Sequence, residues 1–360
     1  MSSRDFRASA LKKISSGEIG AIESLVYGIY ASISHGRILA HSNNPEKLGS
    51  KIISIGNITF GGSGKTPLVE YFARHFALKD VMVGVASPGY KGKARDAGVL
   101  VSDGNNILCG IDIAGDEALM LAKNLLELKV PVYAHRNRIM AAKKLEKSYN
   151  CRVVIMDDAF HFTSVIKDAD ICLVDALNPF GGGALFARGL LREPPDALSR
   201  AHAIIVTNRV LIDDNKYSTL ENRIRSYGFK GSIFNSAYMP ARIECIGADD
   251  VSLNEASGLK VIPVSGIGNP EAFEKSLRVL GISFGEAVRF NDHHFYTPDD
   301  ARMIKSFMRE DKAEGIITTS KDWERFANMA SILDCPIYVL HSEVYLDEEC
   351  VKWLEQRLGL

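Results

Sequence analysis

Residues 54–68 read SIGNITFGGSGKTPL: an apolar strand, a glycine-rich turn, Lys65-Thr66 and the first turn of a helix. The order points to phosphate. Phosphate oxygens need several N–H donors converging on one spot, and backbone supplies them where no Cβ intervenes, as at Gly61, Gly62 and Gly64, with Ser63 completing the nucleotide-binding loop. The helix that follows leaves its first N–H groups unpaired and adds the positive end of its dipole. Lys65 then reaches the β/γ-phosphates as a point charge, and the Thr66 hydroxyl completes the shell of a Mg²⁺ ion. The spacing is a variant. The pattern G-x-x-x-x-G-K-[ST] places its first glycine where this chain has Thr59, so the loop relies on Gly61 and Gly62 instead. The alternative is an ordinary glycine turn before a helix, against which stand the preceding strand, the GKT ending and Pro67, early enough in the helix for its missing N–H to be harmless.

Working outward, short apolar runs alternate with helical patterns: VMVGVAS (81–87), a helix near 116–127, VPVYA (130–134), a helix near 138–148, CRVVIMDD (151–158), ADICLVDA (169–176) and AHAIIVTNR (201–209). Alternation of this kind predicts an α/β protein, a P-loop NTPase-type mostly parallel sheet with flanking helices. The continuous apolar runs fit strands covered on both faces. Residues 237–260 change character, with polar turn residues and no long helix, and read as a connector or small hairpin. After it, KVIPVSGIGNP (260–270), a helix near 271–280, VRF, a helix near 298–310, GIITTSKD (315–322) and CPIYVLH (335–341) predict a second, smaller α/β domain. The expected division is 1–236 and 237–360.

The chain has 360 residues, 46% apolar and 24% charged, with a formal charge of -1. That balance argues against nucleic acid as a partner. The six cysteines show no C-x-x-C pairing and read as small core residues in a reducing compartment, with no zinc site. No continuous apolar stretch opens the chain as a secretory signal does. From Ile19 to Ile33, Ile19, Ile22, Leu25, Val26, Ile29, Tyr30 and Ile33 recur at three- and four-residue steps, an amphipathic helix too short and too interrupted to span a bilayer. Residues 1–51 carry seven Lys/Arg against four acids, which suits an anionic lipid surface; packing of the same face on the protein's own core is the alternative.

Asp157 and Asp158 close the strand CRVVIMDD, at the end where α/β sheets deliver carboxylates to a ligand crevice. A Mg²⁺ bridging two phosphates needs such an acid opposite the loop Thr, although an Asp pair at a strand end is often only a helix cap. Gly115-Asp116-Glu117 opens a helix, where acids also serve as caps. FNDHHFY (290–296) sets two histidines beside Asp292, a spacing compatible with a general base. GLLREP (189–194) holds Arg192 and Glu193 between glycine and proline, either a rigid anion clamp or a surface ion pair.

Taken in order, IGNITFGGSGKTPLV, GY at 89–90, GDEALMLA at 115–122, VVIMDDAFH at 153–161, GLLREP at 189–194, SGIGNPEAF at 265–273, FNDHHFYTPDD at 290–300 and TTSKD at 318–322 resemble the tetraacyldisaccharide 4'-kinase family over residues 20 to 325. The resemblance implies a two-domain, membrane-associated enzyme using ATP and Mg²⁺ to phosphorylate the 4'-hydroxyl of a tetraacylated glucosamine disaccharide 1-phosphate. It implies a dyad of Asp116 and His293 that activates the sugar hydroxyl, with Asp292 in support. Lys65, Thr66, Glu117, Asp157 and Asp158 then serve nucleotide and metal. Tyr90, Arg138, Arg188 and Arg192 fall on the substrate's anionic side, and Lys321 and Asp322 on the nucleotide side. A lipid disaccharide substrate, a peripheral position on the cytoplasmic face of the inner membrane and a monomeric enzyme are the matching expectations. An acceptor with four acyl chains leaves a bilayer at a cost of about 0.8 kcal/mol per methylene, so the enzyme must come to it, which gives helix 19–33 a purpose. The chain departs from the family where SRGY becomes Ser87-Pro88-Gly89-Tyr90, where DDGFQH becomes Asp157-Asp158-Ala159-Phe160-His161-Phe162, and where LPAGPLREP becomes 185–194, with Arg188 as a replacement cation. A kinase or ATPase with a soluble acceptor, and a nucleotide-dependent switch protein, are the other readings.

Overall fold

The computed structural model describes residues 44–61, 63–185, 189–292 and 294–360. The helix read at 19–33 lies outside the described residues, as do Gly62, Arg188 and His293. Close contacts divide the chain into two units, the first made of residues up to Arg209 with Asp213–Ser236 and Leu346–Leu360, the second of Val210–Ile212 and Ala237–Tyr345. The strands are β1 (Lys51–Asn57), β2 (Val83–Ser87), β3 (Val99–Ser102), β4 (Val132–Ala134), β5 (Val153–Asp157), β6 (Ala169–Asp175), β7 (Ala203–Thr207), β8 (Ser232–Cys245), β9 (Val261–Ser265), β10 (Val288–Arg289), β11 (Gly315–Thr319) and β12 (Ile337–Leu346).

In the first unit the strand order is β8-β7-β6-β1-β5-β2-β4-β3. Pairings are parallel except that of β3 with β4. Ile52, Ile53 and Ile55 alternate across the two faces of β1, and all are fully buried. That is the mark of a strand covered by helices on both sides. Register positions the chemistry: Ile55 of β1 is opposite Asp157 of β5, and Asn57 is opposite Leu173 of β6. The loop leaving β1 therefore emerges at the same carboxyl edge as the acidic pair, between two neighbouring strands, where α/β sheets bind ligands. Gly56 allows a close approach of the two, since a Cβ there would lie 2.5 Å from the backbone nitrogen of Phe160.

The second unit has the order β10-β9-β11-β12, parallel throughout, with β12 bordering β8. Its helices Pro270–Val279 and Pro298–Asp311 start on proline behind Asn269 and Thr297 caps, the latter a full capping box with Asp300. The segment 237–260, read as a connector, opens with the second half of strand β8, and the chain passes between units inside that strand. Exposed positions cluster at 238–242, around Pro240, so the stretch mimics a linker in sequence. The C-terminal segment, assigned by sequence to the smaller domain, returns to the first unit. Its helix Glu348–Leu358 is tied there by Glu355, which accepts from His75 at 2.7 Å and from Lys79. All six cysteines are unpaired, and burial pushes the Cys151 thiol up to about 12.

Candidate active site

The turn after β1 is built from its own polar side chains. The Asn57 amide donates to Ser63 Oγ at 2.8 Å and to Thr59 Oγ1 at 3.3 Å, bracing the loop, while its carbonyl oxygen receives Lys65 Nζ at 3.4 Å. Asn57 was not singled out from sequence, although a polar residue ending a run of isoleucines is the signal. Gly61 has φ 112 and Gly64 φ 78, left-handed values that favour glycine. Gly64 caps the helix Lys65–Leu78 without any side-chain hydrogen bond, and that helix has no acid in its first turn. Its amino end is thus held for an external anion rather than for one of the protein's own carboxylates. Thr66 is buried on the second residue of the helix.

Opposite the loop, the two aspartates have opposite environments. Asp157 is 1% exposed, and neither of its carboxylate oxygens has a hydrogen-bond partner. Burial first, then the neighbouring charges of Glu117 and Asp158, push it up to about 7. Asp158, in the left-handed region at φ 48, has its burial cost outweighed by Arg192, Lys65, His161 and Arg138, which hold its carboxyl well below the usual range. Arg192 Nη1 donates to both its oxygens at 2.8 Å, and Lys65 Nζ stands 3.7 Å away. Asp158 is therefore committed to orienting cations, whereas Asp157 has buried lone pairs unsatisfied by protein. A buried carboxylate in that condition fits a hard cation. No group of three or more His, Cys, Asp or Glu able to hold a metal occurs among the described residues.

Arg138 was expected against a substrate anion. It is instead 3% exposed at the start of helix Arg138–Tyr149, where Nε donates to the Asp157 carbonyl at 3.0 Å, Nη2 to the Asp158 carbonyl at 2.8 Å and Nη1 to Arg136 at 2.7 Å. Burial lowers it to about 10, so it stays cationic, a clamp on the acidic turn. The Arg138 guanidinium carbon also lies over the Phe162 ring, 4.7 Å from its centre. Adjacent His161 is pushed down to about 3 by burial against the opposing pull of Asp158, and is neutral at working pH.

Arg192 and Glu193 do not pair with each other. Arg192 lies over the Phe60 ring at 4.7 Å while holding Asp158; Glu193, fully buried, pairs with Arg200 at 2.8 Å. Arg200 and Lys167 reinforce the acidic turn from behind: Arg200 sits 3.9 Å from the Phe160 ring centre, and Lys167 donates to the carbonyls of Ala159 and Phe160 while paired with Asp170. Sequence reasoning missed Lys167 and Arg200, because their partners are distant in the chain. Asp116 opens its helix behind Gly115 (φ 87) and accepts the Glu117 N–H at 3.0 Å. A Cβ on Gly115 would come within 2.2 Å of the Tyr90 carbonyl, so the GY and GDE turns are packed together.

In the second unit Asp322 is fully buried and accepts from Gly266 N–H, the Tyr296 hydroxyl, Thr319 Oγ1 and Arg325, between 2.8 and 3.1 Å. Its oxygens are used to tie three loops, not turned to a nucleotide as expected; Lys321 beside it is half-buried. His294 bonds Asp300 at 3.0 Å and stacks on Phe290, which makes it part of the helix cap, while Asp292 is exposed.

Fold and site together define a P-loop nucleotide-binding protein. A family model described as Tetraacyldisaccharide-1-P 4'-kinase matches residues 20–359. The Tetraacyldisaccharide 4'-kinase of Halothermothrix orenii is 34% identical over 327 residues, 86% of this chain and 84% of the relative. That of Elusimicrobium minutum is 32% identical over 293 residues, 81% and 77% of the two chains. A crystal structure of LpxK from Aquifex aeolicus in complex with ATP is similar at a TM-score of 0.65 and 26% identity, over 93% of this chain and 98% of the other. This chain belongs to the tetraacyldisaccharide 4'-kinase family.

Proposed function

We propose that the chain transfers the γ-phosphate of ATP to the 4'-hydroxyl of a tetraacyldisaccharide 1-phosphate, the acceptor that the relatives' names specify. The observation that carries the reading is the pairing of the glycine loop and Lys65 with a buried Asp157 whose oxygens have no protein partner. Phosphoryl transfer asks the protein for placed charge, an in-line nucleophile and exclusion of water. Backbone N–H groups of 61–66 and Lys65 hold the phosphates. Thr66 and Asp157 are the residues to hold Mg²⁺, which supplies charge neutralisation at the phosphates. Arg192, fixed by Asp158 and Phe60, offers its remaining donors to the transferred group.

His293 is proposed to take the acceptor's hydroxyl proton as the oxygen bonds to phosphorus and the bond to the bridging oxygen breaks, leaving ADP. Asp116 is proposed as the other member of the dyad, with Asp292 in support. Tyr90 and Arg188 are proposed on the acceptor side, and Lys321 near the nucleotide. No helix among the described residues is long and apolar enough to cross a membrane. We propose a peripheral, monomeric enzyme at the inner membrane's cytoplasmic face, with helix 19–33 lying on the lipid. The test is transfer of labelled γ-phosphate from Mg·ATP to the acceptor in detergent micelles, beside a lipid-free hydrolysis control. Acceptor-dependent product is expected; hydrolysis without transfer overturns the assignment.

A further inference from the structure

Large apolar side chains gather in the open beside Asp116. Leu108 is 49% exposed, Ile111 43% and Ile113 42%, within six residues of chain. Within this stretch Ile111–Ala114 is a single helical turn, bounded by Gly110 and Gly115. Segment 90–95 is bonded to it: Lys93 N–H donates to the Asp112 carbonyl at 2.9 Å and Ala94 N–H to Ile113 at 3.2 Å. A Cβ on Gly92 would meet the Ile113 carbonyl at 2.5 Å, so the two segments form one ridge. Tyr90, 48% exposed, and the exposed Lys91 and Lys93 thus flank the isoleucines. Lys93 lies 3.8 Å from Asp112, with both side chains open to solvent, a pairing weak enough to exchange for lipid phosphate.

We propose that this ridge is a membrane contact whose partner is the anionic phospholipid surface, separate from helix 19–33. Single exposed apolar residues are ordinary, but a contiguous group rimmed by polar ones marks an interaction surface. The composition selects the partner. Aliphatic tips enter the acyl boundary, a tyrosine ring sits at headgroup level, and lysines reach up to lipid phosphates on long apolar stems. Three aliphatic side chains at a protein partner would need a shaped counterpart; a bilayer edge needs none. The location supports the same occupant. The ridge runs directly into Gly115 and Asp116, and this inference rests on the acylated-acceptor reading: a hydroxyl whose molecule stays anchored by its acyl chains meets Asp116 only if that side of the protein touches the bilayer.

The experiment is co-sedimentation of the full chain with phosphatidylglycerol-containing vesicles, comparing wild type with Ile111→Ser/Ile113→Ser and, separately, Lys91→Glu/Lys93→Glu. Thermal melts check folding. Leu78→Ser, at an exposed apolar residue on another element, is the control. Each double variant is expected to lose about tenfold or more in vesicle partition with an unchanged melt, while Leu78→Ser binds as wild type. Transfer to a short-chain, water-soluble acceptor is measured in parallel and is expected to be retained. Unchanged partition in both double variants overturns the proposal. So does unchanged partition with a raised KM for lipid acceptor in micelles, which assigns the ridge to the acceptor's own chains. Loss of partition in a protein that transfers to no acceptor supports the ridge while removing the kinase reading, so the two fail separately.

Discussion

Asp157 and Asp158 are consecutive, yet one carboxyl is held near 7 and the other well below its ordinary range. The difference lies in what each faces: unpartnered burial for the first, arginine and lysine for the second. A stability consequence follows with a definite sign. In the unfolded chain Asp157 ionises near pH 3.9, so between about 4 and 7 the folded, metal-free protein binds more protons, and its stability falls as pH rises through that window before levelling. In the presence of a chelator, Asp157→Asn should therefore melt above wild type at pH 8 and show a shallower decline from pH 5, while its Mg²⁺-dependent turnover drops. Calorimetry at the two pH values checks this, and parallel slopes for the two proteins count against a buried, unpartnered acid. Lys65→Ala removes the charge that reaches from the loop toward the phosphates. A loss of about 10²–10³ in turnover is expected, the scale of deleting one preorganised donor, with the melt unchanged. His293→Ala should lower transfer by about 10²–10⁴ while ATP affinity is kept, as loss of a general base does; a switch protein with no acceptor to activate would turn over ATP as before.

At the scale of elements, the site depends on turns packed tightly enough that glycine is required. Gly115→Ala puts a Cβ against the Tyr90 carbonyl in a backbone with φ 87, so it should displace the first turn carrying Asp116 and Glu117. Reduced turnover and a lowered melt are expected together; wild-type values for both would show that the GY and GDE turns do not constrain each other. The same packing explains what was legible in the sequence. Strands β1, β5, β6 and β7 announce themselves because burial on both faces leaves uninterrupted apolar runs. The glycine loop is legible because its chemistry is local. β8 was not legible: its middle is exposed and contains Pro240, so pattern alone gives a linker. Arg138 and Asp322 were legible as important residues but not in direction, since an arginine that binds phosphate and one that clamps backbone carbonyls carry the same letter. Only the fold shows which groups stand within 3 Å.

For the whole molecule, the decisive physical fact is that the proposed acceptor is confined to a surface while the nucleotide is in solution. Two contacts with that surface are proposed, helix 19–33 and the ridge of Leu108, Ile111 and Ile113. Contacts on one chain act through effective concentration, so losing either leaves the other to hold the protein at reduced occupancy. Deleting residues 1–34 should thus weaken vesicle binding severalfold without abolishing it, and adding Ile111→Ser/Ile113→Ser should bring it to background. Turnover on lipid acceptor in vesicles should fall in the same order. Turnover on a soluble short-chain acceptor should stay level, because that acceptor reaches the site without the enzyme being held at a surface. Binding and kinetics measured on the same four proteins separate the possibilities: full vesicle binding after deletion of 1–34 would mean that the helix packs on the protein's own core and that the ridge alone meets the membrane.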